Sequence, residues 1–194
     1  METLLAILLG LGLAAACGFR VFVPMFFVGL AFRTGRMDLA SGFEWLGSTP
    51  ALICLGSAML LEALAYFIPW LDNLLDSIAT PAAVIAGTIL SMGMVSDMSP
   101  LLHWTLGIVV GGGSAATVQA GTVLLRGGST LTTGGAANPA LAAGEIAASG
   151  GMVALALFWP LIAGVVGLVL VCLTVFLLVK LVLRKRKVSD VKTS

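Results

Sequence analysis

Charged and amide side chains set inside apolar sequence are the groups of this chain that could carry chemistry, because a bilayer tolerates such residues only where they do something or are paired. Arg20 lies midway along a long apolar stretch. Glu62 falls in the last third of another, followed by Asp72, Asn73 and Asp76. Asp72 and Asp76 are four residues apart and share a face if helical. Three carboxylates and an amide are hard oxygen ligands, so Glu62, Asp72 and Asp76 suit a divalent cation such as Mg²⁺, Ca²⁺ or Mn²⁺ better than zinc. The plainer reading is an acidic first turn that complements a helix dipole. Glu145 sits among small residues, with Ala142, Ala143, Ala147 and Ala148 around it. Gly111, Gly112 and Gly113, followed by Ser114, break a further apolar stretch. Such glycines either unwind a helix and expose its backbone to a solute or allow close helix packing. Gly18 and Pro24 bracket Arg20 and can likewise open local backbone.

No enzyme motif accompanies these groups. There is no Gly-x-Ser-x-Gly, no His-Glu-x-x-His and no P-loop, and His103 is the single histidine. The expectation is a protein that is not an enzyme. Cys17, Cys54 and Cys172 lack metal-ligand spacing and read as small buried hydrophobes. The run before Cys17 has a lipoprotein-like look, but it opens with Met1-Glu2-Thr3 rather than positive charge, so the segment is expected to be retained.

The elements that must position these residues are membrane helices. Of 194 residues, 59% are hydrophobic and 10% are charged, against about 25% charged in soluble domains. Apolar runs cover about residues 3–32, 50–68, 81–95, 101–125 and 139–183, the last interrupted at Gly150 and Gly151, with a connection at Pro69–Thr80 and a Gly/Thr/Ser-rich loop from Arg126 through Gly135. The sequence therefore predicts an all-α, polytopic helical integral membrane protein with about four to six membrane segments. The first run is too long for one upright helix and carries Gly18, Arg20 and Pro24, so it is either a broken spanning helix or a re-entrant hairpin turning near Gly18. Six of the ten Lys and Arg residues lie between Lys180 and Lys192, next to the last apolar run. That places the C-terminus in the cytoplasm of a multi-pass protein of the inner cell membrane. Without a folded basic surface, a nucleic-acid partner is not expected.

The chain reads as two related halves. Thr49-Pro50-Ala51-Leu52 resembles Asn138-Pro139-Ala140-Leu141, Pro69-Trp70 answers Trp159-Pro160, and Ala31-Phe32-Arg33 answers Leu124-Leu125-Arg126. The division is 1–97 for the first membrane repeat, 98–187 for the second and 188–194 for a polar tail, with a broken or re-entrant first helix in each repeat. Three crossings per repeat would make the halves inverted, as in many secondary transporters. A hairpin at the start of each would make them parallel and would bring Arg33, Arg36 and Arg126 to the side of the tail.

Gly18-Phe19-Arg20-Val21-Phe22, Gly42-Phe43-Glu44-Trp45-Leu46 and Pro69-Trp70-Leu71-Asp72-Asn73-Leu74-Leu75-Asp76 resemble a bacterial membrane-protein family designated domain of unknown function 4126, over most of the chain to about Leu183. The resemblance implies membrane placement and no particular activity.

The functional expectation is a small transporter or channel for an ion or small polar solute, with cations favoured by the acidic group and no resident cofactor beyond a candidate divalent cation. Its pathway would be lined by Arg20, Glu62, Asp72, Asn73, Asp76, Glu145 and the breaks at Gly18 and 111–114. The alternative is a non-transporting scaffold or lipid-handling protein. The lipid bilayer is the expected surrounding, and a homodimer is compatible with the small size.

Overall fold

The structure is a computed structural model. It describes the backbone of residues 2–65, 69–96 and 98–193, and the side chains of 3–65, 78–96 and 98–183. Eight α-helices follow one another: α1 (Glu2–Phe19), α2 (Phe22–Arg33), α3 (Thr49–Leu64), α4 (Pro69–Met94), α5 (Pro100–Leu106), α6 (Gly113–Thr133), α7 (Asn138–Phe158) and α8 (Pro160–Thr193). A 3₁₀ turn (Glu44–Gly47) precedes α3, and a π-helical segment (Gly107–Gly112) joins α5 to α6 without a break. No strand occurs among the described residues. The protein is an all-helical, polytopic membrane protein. Pro100–Thr133, Asn138–Phe158 and Pro160–Leu183 are each long and apolar enough to cross a bilayer, and 3–19, 22–33, 49–64 and 78–94 are shorter apolar helices. Only 17% of the Pro160–Leu183 window is buried inside the protein, which leaves most of that apolar surface to lipid.

Helix α1 is the centre of the bundle. Every residue from Leu11 to Gly18 is buried, and α4, α6, α7 and α8 pack around it. Its composition permits this. A Cβ on Gly12 would fall 2.7 Å from the Ala163 carbonyl oxygen, and one on Gly18 would fall 2.5 Å from Val118 Cβ. Small residues let membrane helices approach closely, where lipid offers no hydrophobic drive to associate.

The contacts fix the direction of each helix. Gly12 meets Gly167 and Leu8 meets Gly164, so α8 lies beside α1. Phe19 lines a crevice with Leu173 and Leu177 further along, so α1 and α8 run in the same sense. Gly10 touches Ser91, while the 39–43 loop closes on Gly93, with Ala40 N donating to the Gly93 carbonyl at 2.7 Å. The end of α4 and the loop after α2 thus lie level with the start of α1. Helix α2 therefore runs back alongside the bundle, and the chain reverses at Arg20–Val21. Of the two readings of the first apolar stretch, the structure has the reversal, two residues beyond Gly18. Residues 100–133 instead continue in one direction through the π-helical segment. Arg126 therefore lies on the side where α8 ends, opposite Arg33, so the matching hairpin in the second half does not form.

Three local expectations are corrected. The expected connection Pro69–Thr80 is helical, and α4 carries Pro81 inside it rather than starting there. The expected loop after Arg126 is also helical to Thr133. Its hydroxyls turn back onto the helix, Thr132 to Gly128 O at 2.9 Å and Thr133 to Ser129 O at 2.8 Å, which satisfies locally the groups that would otherwise favour a loop. The turn then falls on Gly134 and Gly135, at φ 65° and 89°. Gly150 and Gly151 do not interrupt α7. Cys17 is buried as expected, whereas Cys54 and Cys172 lie on the outer surface.

Gly111 and Gly112 serve packing. A Cβ on Gly111 would stand 2.5 Å from both Gly87 O and Ser91 Cβ of α4, and one on Gly112 would stand 2.7 Å from Thr88 Oγ1, whereas Gly113 faces open space. Gly111→Ala should destabilise the protein by about 1–3 kcal/mol, since backbone must move. Gly113→Ala should be neutral or stabilise by up to about 1 kcal/mol through helix propensity. Unfolding of the purified variants in detergent compares the two, and equal effects would contradict this packing.

Candidate functional site

The reversal between α1 and α2 leaves backbone donors at the start of α2, and Val21 at its N-cap offers no side-chain acceptor. Glu62, near the end of α3, supplies one. Its Oε1 accepts from Val21 N at 2.9 Å and its Oε2 from Phe22 N at 3.2 Å. A carboxylate at a helix N-terminus meets both the orphan N–H groups and the positive end of the dipole. A distant residue thus caps α2, because the sequence beside the turn holds none of the usual capping side chains.

Arg20 occupies the turn itself and is only 4% exposed. Its Nη1 donates to the Glu62 backbone carbonyl at 3.3 Å, and its Nη2 lies 3.2 Å from Glu145 Oε2. Arg20 is thus turned into the protein and meets both an acid and a carbonyl. Glu145 is 7% exposed and is held from its other side by Arg126, whose Nε donates to Oε1 at 3.0 Å and whose Nη2 donates to Oε2. This two-pronged arginine–carboxylate contact fixes geometry as well as charge. Ser149, one turn along α7 and fully buried, donates to the Ala16 carbonyl at 3.1 Å, which anchors α7 to the last turn of α1.

Helices α3, α6 and α7 and the turn therefore deliver two guanidiniums and two carboxyl groups to one spot, and their formal charges cancel. Beside it opens a cavity of about 250 Å³ lined by Arg20, Glu62, Phe27, Met59, Ile146 and Gly150 among others. Charged groups border an otherwise apolar recess.

Arg20, Glu62 and Glu145 are brought together from the residues expected to act, and Gly18 lies two residues away but faces α6. Gly111, Gly112, Gly113 and Ser114 are elsewhere. Gly111 shares its level with Gly10, about 15 Å below Arg20 along α1 at the rise of a helix. The side chains of Asp72, Asn73 and Asp76 lie outside the described residues, and so does the three-carboxylate cation site expected with Glu62. Among the described residues no group of three or more His, Cys, Asp or Glu could hold a metal.

Arg126 was missed as a site residue. A signal for it exists. Arg126 stands seven residues before the end of α6 at Thr133, and Glu145 stands seven after the start of α7 at Asn138. Positions equally far from a tight helix–helix turn face one another.

No similar curated protein and no similar solved structure is found for this chain. Residues 7–180 match the family described as Domain of unknown function (DUF4126), and the chain belongs to that family.

Proposed function

We propose that the protein is a small transporter or channel for an ion or small polar solute, with the Arg20–Glu62–Glu145–Arg126 cluster as its gate. The observation that carries the reading is the convergence of four ionisable side chains, Arg20 and Glu145 buried and Glu62 and Arg126 partly so, at a chain reversal inside a membrane bundle, next to a recess. Burying such groups is costly in a membrane, and a bundle that only scaffolded partners could fill the same space with apolar side chains. Moving α2 would part Glu62 from Val21 and Phe22, and this would couple the opening of the recess to the cluster. The balanced charge of the four residues does not itself select cations, so the preference for cations rests on Asp72 and Asp76.

The reading also takes α2–α4 and α6–α8 as inverted repeats, with boundaries near 97 and 187. Arg33 and Arg126 lie late in α2 and α6, Pro50 and Pro139 in the first turns of α3 and α7, and Pro69 and Pro160 at the starts of α4 and α8, and the two sets run in opposite senses. Purified protein reconstituted in vesicles should pass a radiolabelled or fluorescent ion or solute faster than empty vesicles do. An exhaustive screen of small ions and polar solutes with no protein-dependent flux would overturn the reading. A cytoplasmic C-terminus in an inner membrane belongs to the same proposal. A reporter fused after Lys192 should be active inside the cell, and periplasmic activity would reverse the orientation.

The lipid-handling alternative has one observation in its favour, an apolar crevice of about 480 Å³ between α6 and α8.

A further inference from the structure

That crevice has a shape and a polarity. Its wall is formed by Phe19, Val118, Leu124, Leu173, Leu177 and Leu181, and its polar lining comes from Thr122, Thr174 and Lys180. Gly121 keeps the two helices close, since a Cβ there would meet Thr174 Cγ2 at 2.9 Å. On α8 the crevice extends from Leu170 to Leu181, about 16 Å along a helix. That is close to half of the roughly 30 Å hydrocarbon core, the depth of one leaflet.

Lys180 marks the outer end of the crevice. It lies twenty residues after Pro160, about 30 Å up the helix, which is where the hydrocarbon gives way to headgroups. Its side chain is exposed, its ammonium stands 5.9 Å above the Phe176 ring, and no carboxylate pairs with it among the described residues. Arg184, Lys185, Arg186 and Lys187 follow it in the sequence. The volume falls in the range of ordinary ligand sites. The slot is thus apolar over one leaflet's depth and cationic only at the headgroup end.

We propose that the crevice between α6 and α8 is a binding site for an anionic phospholipid, which lays one acyl chain along Leu173 and Leu177 and sets its phosphate at Lys180. A zwitterionic lipid fits the apolar part equally well but brings a compensating positive charge toward Lys180. The discrimination therefore lies in the headgroup, and clusters of Lys and Arg at a helix end favour the same lipids. The site is separate from the buried cluster and stands whether or not the protein transports a solute.

Thermal unfolding of the full chain in non-ionic detergent tests it, with phosphatidylglycerol, phosphatidylcholine of the same acyl chains, or soluble glycerol phosphate added. A ligand of the folded state raises the midpoint. Phosphatidylglycerol should raise it by several degrees more than phosphatidylcholine, and glycerol phosphate should leave it unchanged. Lys180→Gln should abolish the difference between the two lipids. Leu177→Trp, which fills the slot and keeps the lysine, should abolish the phosphatidylglycerol effect. Replacing residues 184–187 by Gln should leave most of the preference in place. Equal stabilisation by both lipids overturns the proposal. So does a response to glycerol phosphate equal to that of the lipid, or a preference lost with 184–187 but kept in Lys180→Gln.

Discussion

Replacing Glu145 by Ala should cost about 3–5 kcal/mol of stability, the penalty for removing one partner of a buried ion pair. The large value follows from where the groups sit. Glu145 is contacted by both Arg20 and Arg126, and Arg20 lies at the turn with its side chain 5% exposed. Arg126 has a partial escape, since its side chain is 15% exposed and stands within two turns of the end of α6, so it can extend toward the headgroups. Arg20 has none. Glu145→Gln should therefore remain nearly as damaging as Glu145→Ala, because an amide of the same shape brings no charge. Arg20→Met combined with Glu145→Met should be milder than the sum of the two single changes, with a coupling of roughly 0.5–3 kcal/mol in a double-mutant cycle. Unfolding of the purified variants in detergent or mixed micelles reads these values. Additive single changes would mean that the pair does not interact across α1 and α7.

Arg20→Ala should reduce any protein-dependent flux roughly tenfold or more, which corresponds to losing charge-assisted hydrogen bonds worth about 1.5–3 kcal/mol each. Arg20→Lys should not restore it. An ammonium is a compact point charge, whereas the guanidinium of Arg20 reaches the Glu62 carbonyl and the Glu145 carboxylate from separate nitrogens. Arg33→Ala provides the control, since Arg33 lies at the exposed end of α2 and donates to Thr49 Oγ1 at 2.9 Å. Flux should survive that change. Measuring the folded fraction of each variant by size-exclusion chromatography separates lost function from lost protein. Equal loss in Arg20→Ala and Arg33→Ala preparations that are both folded would remove the cluster from the transport reading.

The residues of the cluster were legible singly and not as a set. Arg20 and Glu145 are conspicuous because each interrupts apolar sequence, and intramembrane charge is rare. Which acid meets which base depends on how helices cross, Arg126 meeting an acid 19 residues away and Arg20 one on α7 across the bundle, and apolar composition carries almost no record of these crossings. Glu62 shows the limit well. Its carboxylate type suggested a cation ligand, but the structure spends both oxygens on the first N–H groups of α2. That need arises only because the chain turns at Arg20, and neither Gly18 nor Pro24 says in which direction the chain will leave. Arg126 was hidden for a different reason. The Gly-Gly-Ser-Thr sequence after it has loop composition, and hydroxyls bonded back to carbonyls made it helical. Pro81 was equally uninformative, since the apolar run that opens on it continues a helix already under way from Pro69. The class of fold, by contrast, needed only hydropathy and the shortage of charge.

The place of α1 at the middle of the bundle has a consequence for how the chain is assembled. Helix α1 leaves the ribosome before α8, yet the surface that covers Leu8 and Gly12 comes from Gly164 and Gly167 on α8, more than 150 residues later. The face of α1 around Leu8 and Gly12 must therefore wait in the membrane, solvated by lipid, until α8 is released. Contacts so distant along the chain delay folding, and chains form N-terminal parts first during synthesis. Inserting the helices and closing the bundle are thus separated in time. A nascent chain stalled before α8 would hold α1–α7 in the bilayer while that face of α1 remained open.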